Sequence, residues 1–293
     1  MNELREKTPL SGQRSASAEP LSPVAALVRR HDRDRYQTVL FAPAARREAL
    51  FALYAFNYEI ARVRERVSQP TLGRIRLEWW RENVAAAYGG GPRRYPVVEA
   101  LTAAIRQCGL DRVHFERLLD ARESDFDEEP PADLAALEAY AEGTSSRLIY
   151  LALQALGADD AAAVAAGCHI GIAYALSGLM RALPLLAAAG RPIIPAEIAV
   201  RYGLDPGDAR GTPELRGAVA EIAAAARTRL GAARALGGSI ARTALPALLP
   251  AVIAARALRR LEWANYDPFD PVLARPDALQ IWRLATAALR RRF

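Results

Sequence analysis

The sequence predicts an all-α protein. Apolar residues recur at helical spacing along most of its 293 residues, and no segment sustains the period-two alternation of Val, Ile and Thr that marks a strand. The breaks between segments are runs of Pro, Gly and acidic residues. One hydrophobic core can still serve this length, and neither an internal repeat nor a Gly/Ser linker divides the chain. A single domain of about ten helices is therefore expected over residues 25–293.

Residues 1–24 are polar, rich in Ser, Pro, Glu and Arg, and lack the apolar stretch of a secretory signal; they read as a disordered tail. The first strong helix carries Leu50, Leu53, Asn57, Ile60 and Val67 on one face, with Tyr54 and Phe56 beside it, and ends at Ser68-Gln69-Pro70. The next carries Trp79 and Trp80 and stops at Gly89-Gly90-Gly91-Pro92. Adjacent helical positions point about 100° apart, so one tryptophan is expected in the core and the other at a surface or interface. The acidic run Asp120, Glu123, Asp125, Asp127, Glu128, Glu129 leads into Pro130-Pro131 and reads as a solvated helix end and loop. Leu134, Leu137, Tyr140 and Ala141 open a further helix, which resumes through Leu148, Leu151 and Leu156. Either Thr144 or Ser145 caps a new start there, or the helix runs through Gly143.

Ala161 to Met180 holds no charge and is long enough to cross a bilayer. Its Ala and Gly content, with His169, Tyr174 and Ser177, favours a buried bundle helix instead. Gly203-Leu204-Asp205-Pro206-Gly207 marks another loop. At the end of the sequence Leu279, Trp282, Thr286, Leu289 and Phe293 form a stripe flanked by Arg283, Arg290, Arg291 and Arg292. Docking of that stripe on the bundle is the expected arrangement, and seating on anionic lipid is the alternative.

The net charge is +6, and Lys7 is the only lysine, so arginine supplies nearly all of the basic residues. The arginines alternate with Asp and Glu and form no single basic stripe, which argues against a nucleic-acid partner. An anionic membrane surface or an acidic partner fits the same charge. Cys108 and Cys168 are far apart and give neither a disulfide framework nor a zinc site; they suit a reducing compartment. His31, His114 and His169 are scattered without metal-ligand spacing.

Four stretches stand out together: YQTVLFAPAARR at Tyr36–Arg47, ALFALYAF at Ala49–Phe56, RIRLEWWR at Arg74–Arg81, and Gly171–Pro195 with LMR at Leu179–Arg181 and GRPIIP at Gly190–Pro195. In order and spacing they resemble the squalene/phytoene synthase superfamily, over roughly Ala25 to Leu289. The resemblance implies an isoprenoid-synthase-type helical bundle around a central cavity, in which active members join two prenyl diphosphates head to head. That chemistry needs Mg²⁺ at the diphosphate, held by hard oxygen ligands from two aspartate-rich helices. Here the first helix's aspartate positions fall on Ala61, Arg62 and Glu65, and the second helix's fall on Ala182, Leu185 and Leu186. No Asp or Glu occurs anywhere from Ala161 to Ala196.

What remains is similar to a particular branch of the superfamily, through AFNYEIARVRERVSQPTLGRIRLEWW at Ala55–Trp80, YAEGTSSRLIYLALQALG at Tyr140–Gly157 and HIGIAYALSGLMRALP at His169–Pro184. That branch includes the mitochondrial complex I assembly factor and its bacterial relatives. The resemblance implies a non-catalytic protein, cytoplasmic and loosely attached to the inner membrane, that acts on a respiratory complex I subunit or assembly intermediate. A divergent prenyl-diphosphate synthase, with Mg²⁺ on unrecognised ligands, is the enzyme alternative. An isoprenoid- or lipid-binding protein is the third reading. No catalytic residue and no metal ligand is assigned. Tyr54, Asn57, Arg74, Arg76, Trp79, Trp80 and Arg181 are the candidates for a residual pocket or anion site, the arginines because guanidinium binds phosphate well. Ion pairing is the plainer role for those arginines, and a buried hydrogen-bonded role the plainer one for Asn57. Ala182, Leu185 and Leu186 are expected to face Ala61, Arg62 and Glu65 across the cavity.

Overall fold

A computed structural model describes residues 21–91, 93–204, 211–290 and 292–293. Most of the expected tail, most of the 203–207 loop, Pro92 and Arg291 lie outside the described residues. Helices α1 (Pro23–His31), α2 (Arg33–Val39), α3 (Ala44–Ala61), α4 (Pro70–Gly89), α5 (Pro96–Cys108) and α6 (Arg112–Glu123) build the first half. The second holds α7 (Leu134–Ala141), α8 (Arg147–Leu156), α9 (Ala161–Ala188), α10 (Ala196–Tyr202), α11 (Pro213–Ala235), α12 (Leu245–Leu248), α13 (Pro250–Trp263), α14 (Pro271–Ala274) and α15 (Gln280–Arg290). The described residues contain no strand. Short polar caps explain several extra boundaries. Ser22 accepts from the Ala25 N–H and Asp32 from the Arg35 N–H, so α1 and α2 start as separate helices. Proline opens α12 and α13 close together and divides what the apolar periodicity alone would join.

The helix bearing α7 and α8 runs through Gly143. Residues Glu142–Ser146 form a π-helical stretch, in which the Thr144 hydroxyl donates back to the Tyr140 carbonyl and so caps no new helix. This stretch packs closely on both sides. A Cβ at Gly143 would stand 2.6 Å from the Ala121 Cβ on α6, and one at Gly171 would stand 2.5 Å from the Ser146 Cα. The Ser146 hydroxyl donates to the Cys168 carbonyl at 2.8 Å, fastening the stretch to α9.

The apolar helix α9 is 28 residues long and meets the length and hydropathy of a membrane span. It lies against α11, α13, α8, α7 and the π stretch. Val24 in α1 and the terminal Phe293 belong to one contiguous core.

The acidic run is not uniformly solvated. Asp127, Glu128 and Glu129 are exposed, but a 3₁₀ turn, Ser124–Phe126, folds Asp125 inward until only 3% of its side chain is accessible. Arg191 donates to its Oδ1 at 2.7 Å, the Tyr140 hydroxyl donates to the same oxygen at 2.7 Å, and Arg122 approaches Oδ2 at 3.4 Å. The carboxylate thus ties the loop after α9 to the end of α6, a role its neighbours in sequence conceal.

The C-terminal stripe is also placed differently from expectation. Leu284, fully buried against Leu249 and Ile253 with Ala287 beside it, fastens α15 to the bundle. Leu279, Trp282 and Leu289 point away from it, and Phe293 alone of the large apolar residues in the stripe reaches the core.

Candidate functional site

A pocket of about 670 Å³ opens between α2, the end of α9, α13, and the α14–α15 segment. Leu185, Ile253, Leu261 and Phe269 give it an apolar wall. Six arginines line it, Arg33, Arg181, Arg256, Arg260, Arg275 and Arg283, against only three carboxylates, Asp34, Asp270 and Asp277. The carboxylates are engaged. Asp277 receives both Arg283 at 3.2 Å and Arg256 at 3.6 Å, Asp34 faces Arg181 at 3.7 Å, and Asp270 caps α14 by accepting from the Val272 N–H. Arg260 donates to the Val272 carbonyl. Burial, with Arg256, Arg181 and Arg275 close by, lowers its pKa from the ordinary arginine value. Excess guanidinium charge beside an apolar wall is chemistry suited to an organic anion.

The other end of the expected site is elsewhere. Arg62 donates to Glu65 at 2.7 Å and to the Tyr58 hydroxyl at 2.8 Å, Arg66 donates to Glu59 at 2.8 Å, and His31 stacks on Tyr58 with ring centroids 4.6 Å apart. None of Ala61, Arg62 and Glu65 lines the pocket, whereas Ala182 and Leu185 do, and Leu186 packs against the core. The expected apposition across one cavity is therefore corrected. Helix α2 sends Arg35 between α3 and α9, with its guanidinium carbon 5.8 Å from the Tyr54 ring centroid and 5.0 Å from that of Tyr174. Asp32 neutralises it at 2.7 Å.

A family model described as squalene/phytoene synthase matches residues 28–288. The chain belongs to this family. Over 270 residues, 91% of this chain and 81% of the relative, it is 32% identical to NADH dehydrogenase (ubiquinone) complex I, assembly factor 6 of Bos taurus. A presqualene diphosphate synthase of Rhodopseudomonas palustris is 29% identical over 177 residues, 60% of this chain and 62% of that protein. The fold matches the crystal structure of a dehydrosqualene synthase with a TM-score of 0.79 at 18% identity, covering 91% of this chain and 94% of that one.

The squalene/phytoene synthase family implies Mg²⁺, and the donor set at the matching positions does not fit it. Ala61, Ala182, Leu185 and Leu186 offer no side-chain oxygen, and Glu65 is an exposed partner of Arg62. Among the described residues no group of three or more His, Cys, Asp or Glu is arranged to hold a metal ion.

Of the seven residues of this family member singled out as candidates for a residual pocket or anion site, only Arg181 reaches the pocket. Trp80 is fully buried, edge-on to Phe56 at 5.3 Å, while Trp79 is half-buried under Arg76, whose guanidinium lies 4.5 Å from its ring centroid. Arg74 lines a separate shallow hollow with Phe126 and Asp127. Asn57 is buried as read, but its Oδ1 has no hydrogen-bond partner. Sequence reasoning missed Arg256 and Arg260, although their i, i+4 spacing puts both on one face of α13.

Tyr54 is held behind Arg35, and burial, only partly offset by that guanidinium, pushes its phenol up from 10.0 to about 12. The unfolded chain releases this proton first, so the folded state loses stability as pH rises from about 10 to about 12. Urea midpoints measured at stepped alkaline pH should fall through this window, and Tyr54→Phe should flatten part of the slope.

Proposed function

We propose that this chain is a non-catalytic squalene/phytoene-synthase-like protein that acts in the assembly of respiratory complex I, NADH:quinone oxidoreductase. Its partner in this reading is a complex I subunit or an assembly intermediate, met in the cytoplasm at the surface of the inner membrane. The observation that carries the reading is the likeness to assembly factor 6 along 91% of the chain, in a bundle whose inherited metal positions hold Ala, Arg, Leu and a single Glu paired with Arg62. Such a bundle keeps surfaces for binding while its donor set cannot hold Mg²⁺ at a diphosphate.

Deleting the gene should lower NADH:quinone oxidoreductase activity and the amount of assembled complex I, with squalene- and phytoene-derived lipids unchanged. A strain with normal complex I that lacks those lipids would defeat the reading and restore the synthase. In vitro, farnesyl diphosphate with Mg²⁺ should give no head-to-head product. The arginine excess of the α9–α13 pocket favours a variant of the same reading, in which an isoprenoid or lipid anion binds there without metal. Binding of farnesyl diphosphate that survives a chelator, without product, would distinguish that variant from an enzyme.

A further inference from the structure

Helix α15 uses one side to attach and leaves another bare. Leu284 and Ala287 close onto Leu249 and Ile253, while Leu279, Trp282 and Leu289 are 55%, 68% and 78% exposed. Trp282 and Leu289 on the outer face of α15, with Leu279 in the turn just before it, make three large apolar side chains that need a partner surface. Beside them opens a groove of about 660 Å³, walled by Phe41, Pro43, Leu245, Pro246, Ala288 and Leu289 with Arg242 at its side. Leu289 belongs to both features, so stripe and groove form one continuous surface. Among the described residues no acidic side chain lines the groove. Among the described residues Arg242 and Arg290 enter no ion pair, although the fold pairs many of its other arginines.

We infer that this face docks on an anionic lipid bilayer. Trp282, Leu279 and Leu289 enter the headgroup–acyl boundary, where tryptophan is favoured. One acyl chain lies in the groove, with its phosphate against Arg242. The charge favours this occupant over a second copy of the chain. A second copy using the same face would set Arg242 and Arg290 against their own like charges, because a two-fold interface is self-complementary. Anionic headgroups neutralise them instead. The inference rests on the membrane location in the proposed function and names the surface that provides it.

The test is co-sedimentation of the full chain with vesicles of phosphatidylglycerol and phosphatidylethanolamine, beside vesicles of phosphatidylcholine alone. The wild type should pellet with the anionic vesicles at low salt and much less with the neutral ones. Trp282→Ser with Leu289→Ser should cut binding about tenfold or more. Arg242→Gln with Arg290→Gln should cut it about fivefold at low salt, with the difference shrinking at high salt. These side chains contribute little to the core, so melting temperatures should stay near the wild type. Ile75→Ser, on α4 and 60% exposed, is the control and should bind as the wild type does. A wild type that stays in the supernatant, serine variants that pellet unchanged, or a concentration-dependent dimer abolished by the same serine substitutions overturns the assignment. Each of those results leaves the assembly role to be judged separately by the deletion strain.

Discussion

Gly171→Leu is expected to lose about 3 kcal/mol or more of stability, because the new side chain must displace backbone. A Cβ at this position already falls 2.5 Å from the Ser146 Cα and 2.6 Å from its nitrogen, so no rotamer of the new residue relieves the clash. The π stretch would have to move off α9, breaking the hydrogen bond from the Ser146 hydroxyl to the Cys168 carbonyl. Urea denaturation measures the loss directly as a lower midpoint. Gly178→Ala on the same helix is the matched comparison, since nothing lies within 4 Å of its Cβ position. That substitution should be neutral or stabilising by up to about 1 kcal/mol, as expected when alanine replaces glycine inside a helix. Equal losses at both positions would mean that the close approach at Ser146 does not hold in solution.

Asp125→Ala should cost about 3–5 kcal/mol, the usual penalty when one member of a buried ion pair is removed. The loss strands Arg191 and Arg122, whose side chains are only 21% and 14% accessible, and takes the acceptor from the Tyr140 hydroxyl. Glu128→Ala and Glu129→Ala, exposed three and four positions on, should each stay within about 0.5 kcal/mol of the wild type. Chemical denaturation of the three variants side by side settles the point, and a mild effect at Asp125 would show that its network is dispensable.

Periodicity and breaks revealed the helical fold because both depend on local backbone preference. Leu134, Leu137, Leu148 and Leu151 mark their helices without reference to anything distant, and the tryptophan pair divides into core and surface on helical geometry alone. Asp125 shows where that ends: its acidic neighbours in sequence are solvated, and the groups that draw it inward come from other elements, Tyr140 from α7 and Arg191 from the loop after α9. The pocket was hidden for the same reason. Its arginines arrive from α2, α9, α13, the loop after α14, and α15, and no local pattern states that these elements converge. Leu279 and Trp282 misled in a different way. An amphipathic pattern says that a helix has an apolar face, but Leu284 and Ala287 compete for the same bundle surface and bury the helix by another side.

Glu142–Ser146 has a further consequence for how the chain can change length. A π turn holds one residue more than the α-helical turn it replaces, so it takes up that residue without breaking the helix. Removing a single residue there would restore α-helical bonding and leave the helix after it close to its present phase, because one residue fewer completes the same turn. Leu148, Leu151 and Tyr150 would keep their faces toward α9 and α6. The stretch therefore acts as a phase adjuster between α7 and α8: substitutions within it test contacts, whereas a one-residue deletion tests whether the helix can lose its extra residue and keep its register.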